Sequence, residues 1–165
     1  MGYLLRISSI AAAIAFASGA SSAVAEDDTV RLTCQSVGYD APPEPLGDRE
    51  GHGLTTSFAS CRIEAGPMKG GVLTGNDIWE WDKTNAVSLT SNGIQRKPGA
   101  TVVYQNTDQK LSLVITDGKV TGWTVSGKGH VIMATGSAAS FAGKTYTFTA
   151  KPTGPGQFTV ESPWD

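Results

Sequence analysis

The sequence has little of what marks several common classes of protein. Lys and Arg number 13 against 15 Asp and Glu, the formal net charge is −2, and the basic residues form no run. A weakly acidic chain of this kind argues against binding to nucleic acid or to anionic membrane surfaces. Beyond residue 25 no apolar stretch approaches the roughly 20 residues that a membrane-spanning helix requires, so we predict no membrane span.

Motifs that identify common catalytic sites are also missing. The chain contains neither G-x-x-x-x-G-K-[ST] nor a strand-linked G-x-G-x-x-G, and it has no G-x-S-x-G. These patterns position phosphates, dinucleotides and nucleophilic serines, respectively. We therefore predict no cofactor, and we favour a protein that is not an enzyme. Small barrels can catalyse reactions with one or two cavity residues, so the enzyme alternative stays open.

The amino terminus has the order of features found in secretory signal peptides. Arg6 precedes an apolar stretch at residues 10–17, and small residues then lead to Ala23-Val24-Ala25. A basic n-region, a short apolar h-region and an A-x-A site predict cleavage and export. We predict a signal peptide over residues 1–25 and a single domain over residues 26–165, located in the periplasm or outside the cell.

Cysteine is scarce, and the two that occur, Cys34 and Cys61, both fall in the predicted mature chain. Neither belongs to a C-x-x-C motif. An even number of cysteines in an exported protein predicts a disulfide, because the compartment is oxidising. The alternative is a catalytic or metal-binding thiol.

Helix signals are nearly absent, whereas short alternating runs are separated by Gly, Asn and Asp. This pattern predicts an all-β antiparallel domain. Asp117-Gly118 predicts a two-residue hairpin turn that places Leu111, Leu113 and Ile115 on one face of the first arm. We favour a small barrel of about eight to ten strands, because closure removes exposed edges; a two-sheet β-sandwich is the alternative. The predicted strands are 29–37, 54–65, 71–82, 86–90, 100–106, 111–116, 119–126, 130–135, 145–151 and 157–161.

Residues 40–52, "DAPPEPLGDREGH", interrupt the strand pattern. Three prolines and four acidic residues make a strand implausible there. We predict a surface loop within the ring that the Cys34–Cys61 disulfide would close.

The segment "GNDIWEWDKTNA", residues 76–87, concentrates aromatic and acidic side chains. Strand alternation places Asp77, Trp79 and Trp81 on one face, while the opposite face is mostly polar. This arrangement predicts that the indoles lie in the barrel interior, where Trp123 joins them. There the indoles would either fill the core or line an apolar cavity, and Asp77, Trp79, Trp81 and Trp123 are the candidate ligand-binding residues. The alternative is an outward aromatic platform that stacks sugar rings.

The two histidines are the candidates for acid–base chemistry. His52 follows Asp48 and Glu50 in a D-x-E-x-H order that could offer metal ligands, but a loop does not fix such side chains, and we predict no metal site. His130 begins a strand and is interpreted as a hydrogen-bonded residue at the barrel rim. If both faced one cavity mouth, they could act as catalytic residues.

The segment "GKGHVIMATGSAASFAGKTYTFTAKPTGPGQFTVE", residues 127–161, resembles the C-terminal part of allene-oxide-cyclase/dirigent-type barrels and their uncharacterised bacterial relatives. The resemblance rests on a G-x-G entering a strand, then "ATG", a short apolar piece before "AGK", and a closing hairpin. It implies an eight-stranded antiparallel barrel with an apolar cavity. No catalytic residue of those families matches a position here, so no activity is implied.

Three functions are consistent with these features. The favoured one is an exported, non-enzymatic barrel that binds a small apolar ligand or has an unknown role. The first alternative is an enzyme of cyclase, isomerase or hydrolase type that uses His52 or His130 at the barrel mouth. The second is a carbohydrate-binding module that uses Trp79 and Trp81. The oligomeric state is not predicted.

Overall fold

Strands account for most of the chain in the computed structural model, which describes residues 29–37 and 42–163. The predicted signal peptide lies outside these residues. A short 3₁₀ helix spans Ala139–Phe141. The described strands are β1 (Val30–Ser36), β2 (Glu44–Pro45), β3 (His52–Ala65), β4 (Val72–Asp82), β5 (Asn85–Lys97), β6 (Ala100–Thr116), β7 (Lys119–Gly136), β8 (Thr145–Gly154) and β9 (Gln157–Ser162).

The strands close into an antiparallel barrel, which confirms the all-β prediction and decides for the barrel over the sandwich. The sheet order is β1-β9-β8-β7-β6-β5-β4-β3, and β1 pairs with β3 to complete the ring of eight strands. Closure gives each of these strands two neighbours, so the ring leaves no open edge.

Strand β2 is a correction to the sequence prediction, which placed only loop over residues 40–52. Glu44 pairs with Leu54 and Pro45 pairs with Gly53. β1 pairs with β3 only from Ala59 to Ala65, so β2 occupies the position beside β3 that β1 leaves free. Proline is tolerated there because β2 has a partner on one side only.

Four of the predicted strands are joined into two long ones. β6 combines the predicted strands 100–106 and 111–116, and β7 combines 119–126 and 130–135. The β6–β7 register shifts between Thr107 and Lys110, and Asp108 has a positive φ of 48°. This irregularity changes which alternate residues face inward without ending the strand.

The Cys34–Cys61 disulfide is confirmed, and it crosses the pairing that closes the barrel. The two cysteines are direct partners in the β1–β3 register. Both are buried, and Cys34 also pairs with Phe158 of β9. The disulfide therefore links β1 to β3 at the strand pairing that closes the barrel.

Interior aromatic rings lie over glycines on neighbouring strands. The Tyr146 ring covers Gly129, where a Cβ atom would overlap it, and a Cβ on Gly127 would lie 2.8 Å from the Phe148 ring. Both glycines pair directly with the strand that carries the aromatic residue. The missing side chains let the rings of β8 lie flat across β7, which sets the shape of the interior.

Candidate functional site

The barrel encloses a cavity of about 380 Å³, near the lower end of the roughly 300–1,000 Å³ range of small-molecule pockets. One end of the barrel is covered by the segment around the 3₁₀ helix, where Ala138 is buried and Phe141 packs against the core. At the other end, Trp81, Trp123 and Phe158 are only partly buried. We refer to this second end as the mouth.

The structure places Trp79, Trp81 and Trp123 on the cavity wall. Trp79 is 5% exposed, and its Nε1 donates to Ser57 Oγ at 3.2 Å. Trp81 Nε1 donates to Thr55 Oγ1 at 2.8 Å. The hydrogen bonds fix the indole planes and satisfy both N–H groups, so these two rings form no outward-facing platform.

Trp123 contacts Phe158 edge-to-face at the mouth, with 5.7 Å between the ring centroids. The two residues come from β7 and β9, which lie on either side of β8. Together with Trp81 they give the entrance to the cavity an aromatic border.

A row of polar side chains runs around one side of the mainly apolar interior. The row consists of Ser57, Asp77, Ser91, Asn106 and Tyr146, on β3, β4, β5, β6 and β8. Ser57 pairs with Asp77, and Asp77 pairs with Ser91. Gly129 pairs with both Asn106 and Tyr146. The backbone register therefore brings these five side chains to one level of the barrel. We call this set the polar row.

Hydrogen bonds along the polar row point toward Asp77 from both directions. Tyr146 Oη donates to Asn106 Oδ1 at 2.7 Å, and Asn106 Nδ2 donates to Ser91 Oγ at 2.8 Å. From the other side, Ser57 Oγ donates to Asp77 Oδ2 at 3.5 Å while accepting from Trp79. The donors are therefore arranged to serve one carboxylate.

Burial raises the pKa of Asp77, because the apolar interior disfavours the charged form. Hydrogen bonds from Ser91, Gln109 and Ser57 act in the opposite direction and lower it. Among the described cavity-lining residues there is no Lys, Arg or His. The carboxylate thus has neutral donors around it but no cation on the wall to neutralise it.

Gln109 places an unused acceptor beside this carboxylate. Its side chain is 7% exposed, lines the cavity and hydrogen-bonds to Asp77. A carboxylate only accepts, so the amide nitrogen faces Asp77 and Oε1 is left over. Within the described part of the chain Gln109 Oε1 is buried without a hydrogen-bond partner, a costly arrangement for a buried polar atom.

The two tyrosines on the wall have raised pKa values. Burial is the main cause for both, and the charge of Asp77 adds to it for Tyr104. Their rings meet edge-to-face with centroids 6.4 Å apart. Both phenols consequently remain neutral donors around neutral pH.

Neither histidine lies on the cavity wall. His52 faces outward on β3, where Nδ1 contacts Asp48 Oδ1 at 2.5 Å and Nε2 contacts Glu80 Oε1 at 2.9 Å. His130 lies between Gln105 and Thr145 on the adjacent strands. Within residues 29–37 and 42–163 no group of His, Cys, Asp and Glu could hold a metal ion.

Sequence reasoning placed Asp77 and the tryptophans in the interior, where they lie on the cavity wall, but it did not predict that Ser57, Ser91, Asn106, Gln109 and Tyr146 share this wall. One signal was available for Gln109. Along β6 the apolar side chains that face inward have even residue numbers at Val102 and Tyr104, but odd residue numbers at Leu111 and Leu113. That change of parity requires an inserted residue between them, which turns Gln109 inward.

Fold and site together define an eight-stranded barrel with an internal cavity, an aromatic mouth and a partly buried carboxylate on the cavity wall. Comparisons with protein-family models, with curated proteins and with solved structures gave no match. In the described part of the chain, no helix has the length and apolar character needed to span a bilayer.

Proposed function

We propose that this protein is an exported binding protein that holds one small, mainly apolar molecule inside its barrel. The observation that carries the proposal is the cavity of about 380 Å³, which has apolar walls, one polar row and an aromatic mouth. Pockets that bind small molecules typically combine an apolar lining with a few polar groups that orient the ligand. Trp79, Trp81, Trp123 and Asp77 are the residues proposed to contact it.

The export part of the proposal rests on the sequence of residues 1–25. The Cys34–Cys61 disulfide is compatible with an oxidising compartment. A relationship to the allene-oxide-cyclase/dirigent-type barrels is proposed from the sequence resemblance of residues 127–161. An eight-stranded barrel with an interior cavity is the fold that this resemblance implies. It adds no activity to the proposal.

The two alternatives have less support. A general acid or base must reach its substrate within hydrogen-bonding distance, and neither His52 nor His130 lines the cavity. A sugar-stacking platform requires exposed ring faces, whereas Trp79 is buried and Trp81 is partly buried. Binding in the interior is therefore the function that the geometry supports best.

A neutral apolar dye, N-phenyl-1-naphthylamine, tests whether the cavity takes up ligand. We expect a saturable rise in dye fluorescence with one site per chain. Ala150→Phe should abolish it, because Ala150 lines the cavity and is buried. Lys151→Phe is the matched control, since the next residue is exposed on the outside of the same strand.

The dye experiment has two results that would contradict the proposal. One is the absence of saturable binding to the folded wild-type protein. The other is binding that survives Ala150→Phe, which would place the dye outside the barrel. Circular dichroism of each variant confirms that the barrel is folded before binding is compared.

A further inference from the structure

The cavity wall has more hydrogen-bond acceptors than its own donors satisfy. A carboxylate offers about four acceptor positions, and Ser57, Ser91 and Gln109 supply one donor group each to Asp77. Gln109 Oε1, on the same wall, has no hydrogen-bond partner among residues 29–37 and 42–163. A ligand that complements Asp77 and Gln109 Oε1 brings hydrogen-bond donors.

The charge on the cavity wall also favours a ligand that brings donors. Asp77 is the one carboxylate among the described residues that line the cavity, and no basic side chain accompanies it there. An unpaired buried charge is costly, and an ion pair with a ligand removes that cost. A cation would supply both the missing charge and, as a primary ammonium group, three donors.

The rings around Asp77 suit a cation as well. Trp79 is two residues along the same strand and faces the same interior, and Tyr104 lies close enough to feel the Asp77 charge. The faces of aromatic rings attract cations, and indole does so most strongly. The apolar walls and the aromatic mouth would cover the rest of such a molecule.

We infer that the ligand is an amphipathic amine, whose ammonium group binds Asp77 and Gln109 Oε1 and whose apolar body fills the cavity toward the mouth. This inference rests on the proposed function and specifies the chemical class of the ligand. It assigns Asp77 the role of charge partner, Trp79 the role of an aromatic contact to the ammonium group, and Trp81 and Trp123 the role of apolar contacts.

Three probes of nearly equal shape separate charge from apolar contact: 2-phenylethylammonium, 2-phenylethanol and phenylacetate. Isothermal titration calorimetry at pH 7 measures each dissociation constant with the folded protein. We expect the ammonium to bind at least about tenfold more tightly than the alcohol, a difference of about 1.4 kcal/mol. Phenylacetate should bind most weakly, because its carboxylate meets Asp77.

Asp77→Asn removes the charge and keeps the shape of the side chain. We expect it to weaken ammonium binding at least about tenfold and to change alcohol binding by less than about threefold. Asp117→Asn makes the same chemical change at the exposed β6–β7 turn and should leave both affinities unchanged. Near-UV circular dichroism verifies the fold of each variant.

Ammonium affinity should also depend on pH, since only the ionised carboxylate attracts the cation. Burial raises the pKa of Asp77, so the affinity should increase as the pH rises through that value. The groups that hydrogen-bond to Asp77 are uncharged: Ser57 on β3, Ser91 on β5 and Gln109 on β6. Tyr104 and Tyr146, with raised pKa values, stay neutral over the same range.

The outcomes distinguish this inference from the proposed function. If the alcohol binds as tightly as the ammonium, or if the preference for the ammonium survives Asp77→Asn, the amine inference is wrong and interior binding stands. If the dye binds in the interior but none of the three probes binds, the amine inference is wrong and interior binding stands. If neither the dye nor any probe binds, or if Ala150→Phe leaves their binding intact, the proposed function is wrong as well. Tight ammonium binding that is lost in both Asp77→Asn and Ala150→Phe supports both.

Discussion

Tyr146 on β8 donates its phenolic hydrogen to Oδ1 of Asn106 on β6, with 2.7 Å between the two atoms. Strand β7 lies between them, and its residue at this level is Gly129, which pairs with both. The tyrosine therefore reaches across a whole strand. This contact starts the chain of hydrogen bonds that continues through Asn106 and Ser91 toward Asp77.

Tyr146→Phe should destabilise the barrel by about 1–3 kcal/mol, because it leaves Asn106 Oδ1 without its donor in a partly buried position. Urea unfolding followed by tryptophan fluorescence measures the loss. Tyr104→Phe is the matched control: its ring is also buried, but within the described residues its hydroxyl makes no hydrogen bond. Equal losses for the two variants would show that the bond to Asn106 contributes nothing specific.

Gly129→Ala should destabilise the protein by about 1–3 kcal/mol, since the new methyl group overlaps the Tyr146 ring and overpacking strains a closed interior. Gly122→Ala provides the comparison on the same strand, because its methyl group would lie 3.6 Å from Pro152 Cγ, an ordinary contact. There we expect a change close to zero or a gain of about 0.4–1 kcal/mol from the stiffer unfolded chain.

Thermal unfolding and near-UV circular dichroism check the glycine pair. Gly129→Ala should also alter the near-UV signal, because Tyr146 has to move from its position against Asn106. A Gly129→Ala variant as stable as Gly122→Ala, with an unchanged tyrosine signal, would contradict the proposed packing of the ring across β7.

Alternation along single strands was enough to predict an all-β domain and the inward direction of Trp79, Trp81 and Trp123, and the removal of exposed edges favoured the barrel over the sandwich. It could not predict the polar row, since the row depends on how different strands align. A one-residue change of register between β4 and β5 would separate Asp77 from Ser91. β-Bulges set that alignment, and the sequence shows them only where the inward-facing apolar residues change from even to odd numbers.

Alternation also fails where a strand leaves the barrel. Leu111, Leu113 and Ile115 were predicted to share one face, yet Ile115 is 50% exposed. Val114, on the opposite face, is 43% exposed as well, so both faces of β6 reach solvent before the hairpin turn. The end of a barrel is a property of the whole ring and leaves no mark on an individual strand.

His52 provides the last prediction, which concerns pH. The side chain joins Asp48 of the preceding loop to Glu80 of β4. Hydrogen bonding to Asp48, and then to Glu80, raises the pKa of His52, and the bond to His52 lowers the pKa of Asp48. The contact is therefore strongest when the imidazole is protonated and the carboxylate is ionised.

The direction of the pH effect follows from these shifts. A raised pKa means that the folded protein keeps the His52 proton at a pH where the unfolded chain, with a pKa near 6.5, has lost it. The stabilisation is fully present below about pH 6.5 and declines as the pH rises through the folded-state value. The Asp48 contribution is lost only on acidification, as the pH falls through its lowered pKa.

Urea unfolding of the wild type and of His52→Gln between pH 5 and 9 isolates the histidine. We expect the stability advantage of the wild type to shrink as the pH rises above about 6.5, because glutamine does not titrate. Asp77, whose raised pKa gives its own decline in stability from about pH 3.9 upward, is present in both proteins and cancels in the difference. Parallel curves for the two proteins across the range would show that protonated His52 does not hold the loop against β4.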